Sequence, residues 1–332
     1  MRLGTNPQKQ EKKVTLTTNH RVVVVVYIPN EEGFYKDSFD VFKMCLNSLI
    51  DTINSNAAIT VVNNGSHSKV SEFLNHYLKE RKIDTLISHN ENIGKIDAQI
   101  GAARGAREKY ITLTDADILF VKGWQEKVDE VFAVFPNVGS VSPIPVRAGL
   151  YFGTSSTLLQ VLFKKIKFKF IPIPENFINF NKYLESINWE METAEDNNWP
   201  IIEKNGMRAV IGSGHQVLTI DRDILFTTTP SNPSLILVGG TSEHNYVDFP
   251  IDKAGKLRLS TYNNYAFHMG NKLESWMIDL QERNVNGINN YKNNNVIAPP
   301  SKDLFNSKMK NKWYGLKKMV IKKMFSFFMA KY

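Results

Sequence analysis

Residues 110–117 read YITLTDAD. An apolar, β-branched run of strand length stops at Asp115, and two carboxylates two positions apart stand just past its end. Working back from it, RVVVVVYI (21–28) reads as a strand buried on both faces, because a continuous valine run has no solvent side to offer. Phe39, Phe42, Leu46, Leu49 and Ile53 follow at helical spacing, then AAITVV (57–62), a second strand closed by the turn-forming NNGS (63–66). DTLISH (84–89) is a third strand. The polar NENIG (90–94) leads from it to a helix expected over about Ala98 to Lys109, and YITLT is the fourth strand. Strand and helix alternating in this way imply an α/β fold with a mostly parallel sheet flanked by helices. The Asp115–Asp117 pair then lies at the carboxyl edge of a central strand, where open α/β sheets bind ligands.

The remainder is less regular. After Pro143 and Pro145 come LLQVLFKKIKFKFIPIP (158–174), an aromatic and acidic stretch from Trp189 to Trp199, and two strand-like pieces, RAVIG (208–212) and HQVLTI (215–220). No internal repeat is visible. At 332 residues, 42% hydrophobic and 22% charged, the chain has the composition of a globular protein with a sizeable core. Cys45 is its only cysteine, which excludes an internal disulfide and multi-cysteine metal sites. The net charge of +8 resides in the tail: setting aside the eight lysines after Asp303 leaves 33 basic against 33 acidic residues. An electroneutral body argues against nucleic-acid binding. No run reaches the length of a membrane span, and the polar start lacks the apolar stretch of a secretory signal.

Asp115 and Asp117 suit a divalent cation, since Mg²⁺ and Mn²⁺ favour hard oxygen ligands and complete their shells with phosphate and water. The bland alternative is a solvated strand-end turn. The surrounding pieces stand in a fixed order: VVVVVYIPNEEG (22–33), MCLNSLIDT (44–52), ITVVNNGS (59–66) and NENIGKIDAQIGAARGAREKYITLTDAD (90–117). Over about Arg21 to Phe120 this order resembles the family 2 glycosyltransferases of GT-A type, which transfer sugars from nucleotide diphosphates.

The resemblance implies a GT-A, Rossmann-like sheet with a less regular acceptor lobe. With the composition, it divides the chain into an N-terminal tail (1–20), a nucleotide-sugar-binding half (21–146), an acceptor-binding half (147–283), and a linker with a basic amphipathic tail (284–332), the last read from the Asn-rich stretch and the lysines alone. Pro29 would wall the base and Asn63 or Asn64 would hydrogen-bond its edge. Asn92 and Gly94 would shape the approach to the donor, and Lys95 or Arg104 would meet phosphate or base. Asn63 departs from the family, which usually has Asp there; a UDP-sugar is still favoured, because an amide oxygen also accepts from uracil.

In the second half, SLILVGGTSEHNYVDFPIDKAGKLRLS (234–260) is similar to the family's Gly-Gly-x-x-Glu-Asp segment. Glu243 and His244 fall on its Glu-Asp pair, where a carboxylate acts as general base in inverting members. Glu243, His244 and Asp248 compete for that role, with Glu243 first, and Glu243 as a mere helix cap is the alternative. His268 in YAFHMGN (265–271) is similar to a late histidine that contacts metal or diphosphate in several GT-A enzymes, retaining ones among them.

In the tail, Met309, Trp313, Leu316, Val320, Met324 and Phe327 recur three or four residues apart among lysines. Such a helix suits the headgroup plane of an anionic bilayer. A helix docked on the domain and an RNA-binding tail are the alternatives, and KKIKFKF would add to the same surface or form an amphipathic strand. The expected protein is cytoplasmic, peripheral on the inner membrane face, with a sugar nucleotide and a glycan or lipid-linked acceptor as partners. Its rivals are a non-catalytic tethered nucleotide- or sugar-binding module and a nucleotidyltransferase, the latter lacking a Gly-rich triphosphate loop.

Overall fold

The computed structural model describes residues 4–10, 14–163, 165–192, 198–287 and 307–329. Along the chain β1 (His20–Val26), α1 (Ser38–Thr52), β2 (Ala57–Asn64), α2 (Ser68–Lys79), β3 (Thr85–His89), α3 (Lys95–Gly105) and β4 (Tyr110–Thr114) alternate. Then come β5 (Ile118–Phe120), α4 (Trp124–Val134), β6 (Val138–Ser142), α5 (Ser155–Leu162), β7 (Lys167–Pro172), α6 (Pro174–Ser186), β8 (Asn198–Lys204), β9 (Met207–Ile211) and β10 (Val217–Asp221). The chain continues through α7 (Ile224–Thr227), α8 (Phe249–Lys253), β11 (Leu257–Thr261), β12 (Ala266–His268), α9 (Ser275–Asn286) and α10 (Ser307–Met329).

Ten strands form one sheet in the order β3-β2-β1-β4-β10-β6-β11-β9-β8-β7, and β5 pairs with β12 apart from it. Strands β1 to β4 are parallel, whereas β10 runs antiparallel to both β4 and β6. The valine run of β1 has the two-sided burial its sequence implies. Val22, Val24 and Val26 pack with Phe42, Leu46 and Leu49 of α1, while Val23 and Val25 pack with Ile96, Ile100 and Ala103 of α3. The chain runs outward from β1 through β2 to β3 and then crosses back through α3 to β4 on the other side of β1. The carboxyl ends of β1 and β4 therefore flank the switch point at which such sheets open a crevice.

Three expectations are corrected or refined. Helix α3 starts at Lys95 and ends at Gly105, earlier at both ends than the expected Ala98 to Lys109. Its cap is Gly94 at φ 96°, where a Cβ would lie 2.4 Å from the Ile236 carbonyl oxygen, so only glycine fits. Ala106 is extended and ends the helix. The pieces RAVIG and HQVLTI, read as part of a less regular lobe, are β9 and β10 and continue the main sheet. KKIKFKF contributes the edge strand β7, with Lys167 and Lys169 exposed and Phe168 and Phe170 half-buried, as befits an edge kept from aggregation by charge.

Helix α10 docks on the body by one face. Ile321 and Phe325 are buried, with the Phe325 ring 5.6 Å from that of Phe168. Tyr314 donates to Asp252 Oδ2 at 2.8 Å, and the Lys318 ammonium lies 4.1 Å from the centre of the Phe249 ring. The face composed of Leu316, Val320, Met324 and Phe327 is left in solvent, each 44–72% exposed. The Met309 and Trp313 side chains, and residues 288–306 of the expected linker, lie outside the described residues. Among the described residues no helix is long and apolar enough to cross a membrane.

Candidate active site

Backbone pairing sets the two carboxylates at the switch point. Asp115 follows β4, and its N–H donates to the Gln216 carbonyl at 2.8 Å from the segment entering β10. Asp117 precedes β5, and its carbonyl accepts from Met269 N–H at 2.8 Å. Because β12 pairs antiparallel with β5, with His268 opposite Ile118, the imidazole is delivered beside Asp117, Nε2 lying 3.2 Å from Oδ2. His268 Nδ1 is 2.8 Å from Ser186 Oγ on α6. Tyr183, also on α6, presents its ring edge to His268 and accepts through its hydroxyl from Gln216 Nε2 at 2.7 Å.

Lys95, the first residue of α3, lies 2.7 Å from Asp115 Oδ1 and 3.8 Å from Glu243 Oε1. Burial alone would lower its ammonium pKa, but Asp115, Glu243 and Asp117 outweigh burial and hold it above the ordinary lysine range. Burial raises the Asp115 carboxyl despite Lys95. For His268, burial would lower the imidazole, yet Asp117 and Asp115 prevail and raise it. Asp117 Oδ1 is buried without a hydrogen-bond partner, an uncommon and costly state for a carboxylate oxygen. Two carboxylates, an imidazole and an oxygen in need of a partner fit a divalent cation of the Mn²⁺ or Mg²⁺ kind.

Glu243 is held by its surroundings. Its Oε2 accepts from Ser242 Oγ at 2.9 Å and its Oε1 from Gly239 N–H at 3.4 Å. Burial would raise its carboxyl, but its own backbone N–H, the Lys95 ammonium and the Ser242 hydroxyl overcome burial and lower it. Its side chain does not cap the π-helical turn that follows, His244–Asp248. Within that turn His244 Nδ1 is 2.9 Å from Asp248 Oδ2, and Arg258 Nη2 donates to Asp248 Oδ1 at 2.6 Å. Burial would raise Asp248, and Arg258 with the two neighbouring histidines reverses that and leaves it far below the usual carboxylate range. Among the described residues, the His and carboxylate donor atoms gathered within 4.8 Å of one another are those of His215, His244 and Asp248. Asp115, Asp117 and His268 do not gather so closely, and the Lys95 ammonium stands against Asp115 Oδ1.

The asparagines shape the loops at the strand ends. Asn63 accepts from Ser66 N–H at 3.0 Å and donates to Ser71 Oγ at 2.9 Å. Asn64 donates to Asn92 Oδ1 at 2.9 Å, and Asn92 Oδ1 also accepts from Gly94 N–H at 2.9 Å. Pro29 follows the end of β1, half-buried. Arg104 is not brought to the site. It stands near the far end of α3 from Lys95, roughly 13 Å along the axis at 1.5 Å per residue. There its guanidinium donates to the carbonyls of Leu225 and Pro230, at 3.3 and 2.6 Å.

Sequence reasoning missed Asp97, His215, Gln216, Tyr183, Ser186 and Arg258. Asp97 accepts from the N–H groups of Ser234 and Leu235 at 2.7 and 2.8 Å and, with Lys95 N–H donating to the Leu237 carbonyl at 2.8 Å, straps residues 234–237 across the start of α3. Only His215 carried a signal, a titratable residue at the entry of the strand-like HQVLTI beside the fourth strand.

Residues 24–180 match the sequence model of Glycosyl transferase family 2. No curated protein matches the chain by sequence. Similar solved structures include the mannosyltransferase PcManGT from Pyrobaculum calidifontis in complex with GDP-Man and Mn²⁺, at 15% identity and TM-score 0.42, over 74% of this chain and 55% of that one. GalNAc-T7 with UDP, GalNAc and Mn²⁺ is similar at 15% identity and TM-score 0.47, over 76% of this chain and 43% of that one. TarS 1–349 from S. aureus is similar at 12% identity and TM-score 0.42, over 76% of this chain and 60% of that one. This chain thus spans roughly half of the length of these structures. The family match runs from β1 into α6, a little under half of the chain, and takes in the Asp115–Asp117 strand end.

Proposed function

We propose that the protein moves a sugar from a nucleoside diphosphate donor, a UDP-sugar being favoured, to a hydroxyl of a glycan or glycolipid in surface polysaccharide or glycolipid synthesis. The observation that carries this reading is the strand-end cluster, in which Asp117 keeps a buried, unpartnered oxygen beside His268 and Lys95 stands at the head of α3. Asp115, Asp117 and His268 would hold Mn²⁺ or Mg²⁺. When bound, such a cation supplies positive charge for the departing diphosphate.

The chain's own groups do the rest. Lys95 exchanges Asp115 for a diphosphate oxygen, at a helix start whose dipole favours an anion. Pro29 and the loops shaped by Asn63, Asn64, Asn92 and Gly94 receive the nucleoside. Residues 21–146 then form the donor half and 147–283 the acceptor half, where a group on the Glu243–Asp248 segment takes the acceptor proton. Inversion is favoured because that segment resembles the one that carries the general base in inverting members of the family.

The tail gives the enzyme its place. The exposed Leu316, Val320, Met324 and Phe327, with lysines around them, suit the inner face of an anionic membrane. A panel of UDP- and GDP-sugars, incubated with and without Mn²⁺ or Mg²⁺, tests the proposal: cation-dependent release of nucleoside diphosphate is expected from at least one. Nucleotide binding with no turnover of any donor, with or without glycan and glycolipid acceptors, would favour the non-catalytic module. The anomeric configuration of the product, read by NMR, separates inversion from retention.

A further inference from the structure

The group of side chains around Asp248 joins two residues of the sequence motif, His244 and Asp248, to two that the motif does not contain as candidates, His215 and Arg258. Asp248 and Arg258 are each 1% exposed and face one another, Arg258 Nη2 donating to Asp248 Oδ1 at 2.6 Å. Arg258 also donates to the carbonyls of Ser213 and Phe152, at 2.5 and 2.6 Å, so its position is fixed from three sides. The other oxygen, Asp248 Oδ2, has two imidazoles on it: His244 Nδ1 at 2.9 Å and His215 Nδ1 at 3.4 Å. Both imidazoles are half-exposed, whereas the carboxylate is buried.

Charge settles the tautomers. A carboxylate paired with a buried guanidinium is ionised and only accepts, so each Nδ1 that meets it carries the proton. In a neutral ring the unprotonated nitrogen is then Nε2, and among the described residues neither Nε2 takes part in a hydrogen bond. The His244 ring is further wedged by Phe152 and Phe249, with centroids at 4.4 and 6.1 Å. Glu243, by contrast, has its oxygens engaged by Ser242, Gly239 and Lys95.

We infer that His244, oriented by Asp248 and Arg258, is the general base of transfer, and that Glu243 positions Lys95 instead. This deepens the function proposed above and rests on it. The acceptor O–H bond breaks with its proton passing to His244 Nε2, the oxygen bonds to the sugar's anomeric carbon, and the bond from that carbon to the diphosphate breaks, its electron pair leaving with the diphosphate. His215 is the second ring on the same carboxylate and marks where an acceptor hydroxyl is flanked. Facing His244 are Asp248 and His215, the Phe152 and Phe249 rings, and Glu243 as its chain neighbour; Arg258 acts through Asp248, and Lys318 lies over Phe249.

Two measurements on the full chain test this. The first needs no substrate. Long-range ¹H–¹⁵N NMR of histidine-labelled protein at neutral pH is expected to show His244, identified by its loss in His244→Gln, as the Nδ1–H tautomer. Asp248→Asn is expected to shift it, and an Nε2–H tautomer overturns the inference. The second uses the donor that the Mn²⁺ screen identifies. His244→Ala is expected to lower kcat by about 100-fold or more with donor KM little changed, and free imidazole to restore part of the rate. The acid-side fall of kcat is expected to vanish in His244→Ala and to persist in Glu243→Gln. The opposite pattern makes Glu243 the base and overturns the inference without touching the proposed function. Zn²⁺ binding by the Asp117→Asn protein that is lost in His215→Ala also overturns it, making the three residues a metal site. If no donor turns over, the proposed function fails while the tautomer result still decides this geometry.

Discussion

The end of β4 and the surroundings of Asp248 are both built from carboxylates, cations and histidines, half-buried in the first and with a fully buried ion pair in the second, yet their hydrogen-bond accounts differ. Around Asp248 both oxygens have donors, and Arg258 is itself tied to two carbonyls. At the strand end Asp117 Oδ1 has none, and Asp115 has a raised carboxyl with a lysine against it. A saturated cluster holds side chains in fixed orientations, whereas an unsaturated one is arranged for something that arrives later. The two regions should therefore respond in opposite ways to mutation, one through stability and the other through ligand binding.

The largest expected effect is on the saturated side. Arg258→Met leaves Asp248 buried without its guanidinium and should cost about 3–5 kcal/mol in denaturant unfolding, the scale for breaking a buried ion pair. A loss below about 1 kcal/mol would show that the pair is not buried as described. Next, Asp117→Asn should lower transfer by about 100-fold or more while leaving the thermal midpoint of the cation-free protein unchanged or higher, because an amide tolerates the unpartnered position better than a carboxylate. A large fall in that midpoint would break the contrast. Third, Gly94→Ala should cost about 1–3 kcal/mol, since it sets a Cβ against the Ile236 carbonyl at a backbone angle that suits only glycine. It tests whether the strap across α3 is rigid.

The pH dependence of stability sharpens the comparison by sign. Asp248 is depressed in the fold, so its contribution is present above the ordinary Asp pKa of about 3.9 and is lost as pH falls below it. The gap in thermal midpoint between wild type and Asp248→Asn, measured with chelator, should narrow as pH drops through about 4. Asp115 is raised instead, so its ionisation weakens the cation-free fold as pH increases. A gap that widens toward acid would contradict the Asp248 assignment. The smallest effect is at the tail: replacing Leu316, Val320, Met324 and Phe327 with Ser should weaken co-sedimentation with anionic vesicles and leave unfolding intact, whereas Phe325→Ala, which empties a buried position, should destabilise the fold. Equal vesicle binding by wild type and the four-residue variant would refute the membrane surface.

The first half of the sheet was legible because its signals are local. The valine run of β1, the NNGS turn and the carboxylates after YITLT each announce their structure within a few residues, and the order of the pieces did the rest. The helix limits of α3 were not, since its start depends on the Ile236 carbonyl meeting Gly94 from far along the chain. RAVIG and HQVLTI were visible as strands, but their places between β4 and β8 depend on antiparallel pairings that no local pattern encodes. The charge partners followed the same rule. Asp115, Asp117 and His268 stood out by type and position, whereas Arg104 turned to carbonyls of the α7 region, and Arg258, reading simply as a charged residue within KLRLS, proved to be buried against Asp248.

The central claim is that the β4 strand end is a cation-dependent sugar-nucleotide site, and the most direct measurement of it is Mn²⁺ binding followed by electron paramagnetic resonance, with UDP or GDP present, in wild type and in Asp117→Asn and His268→Ala. The account expects one of the two nucleotides to increase Mn²⁺ binding by the wild-type protein, Asp117→Asn to abolish that increase, and His268→Ala to weaken it. Undiminished binding of Mn²⁺ and nucleotide by Asp117→Asn, or no binding of either by the wild-type chain, would contradict it.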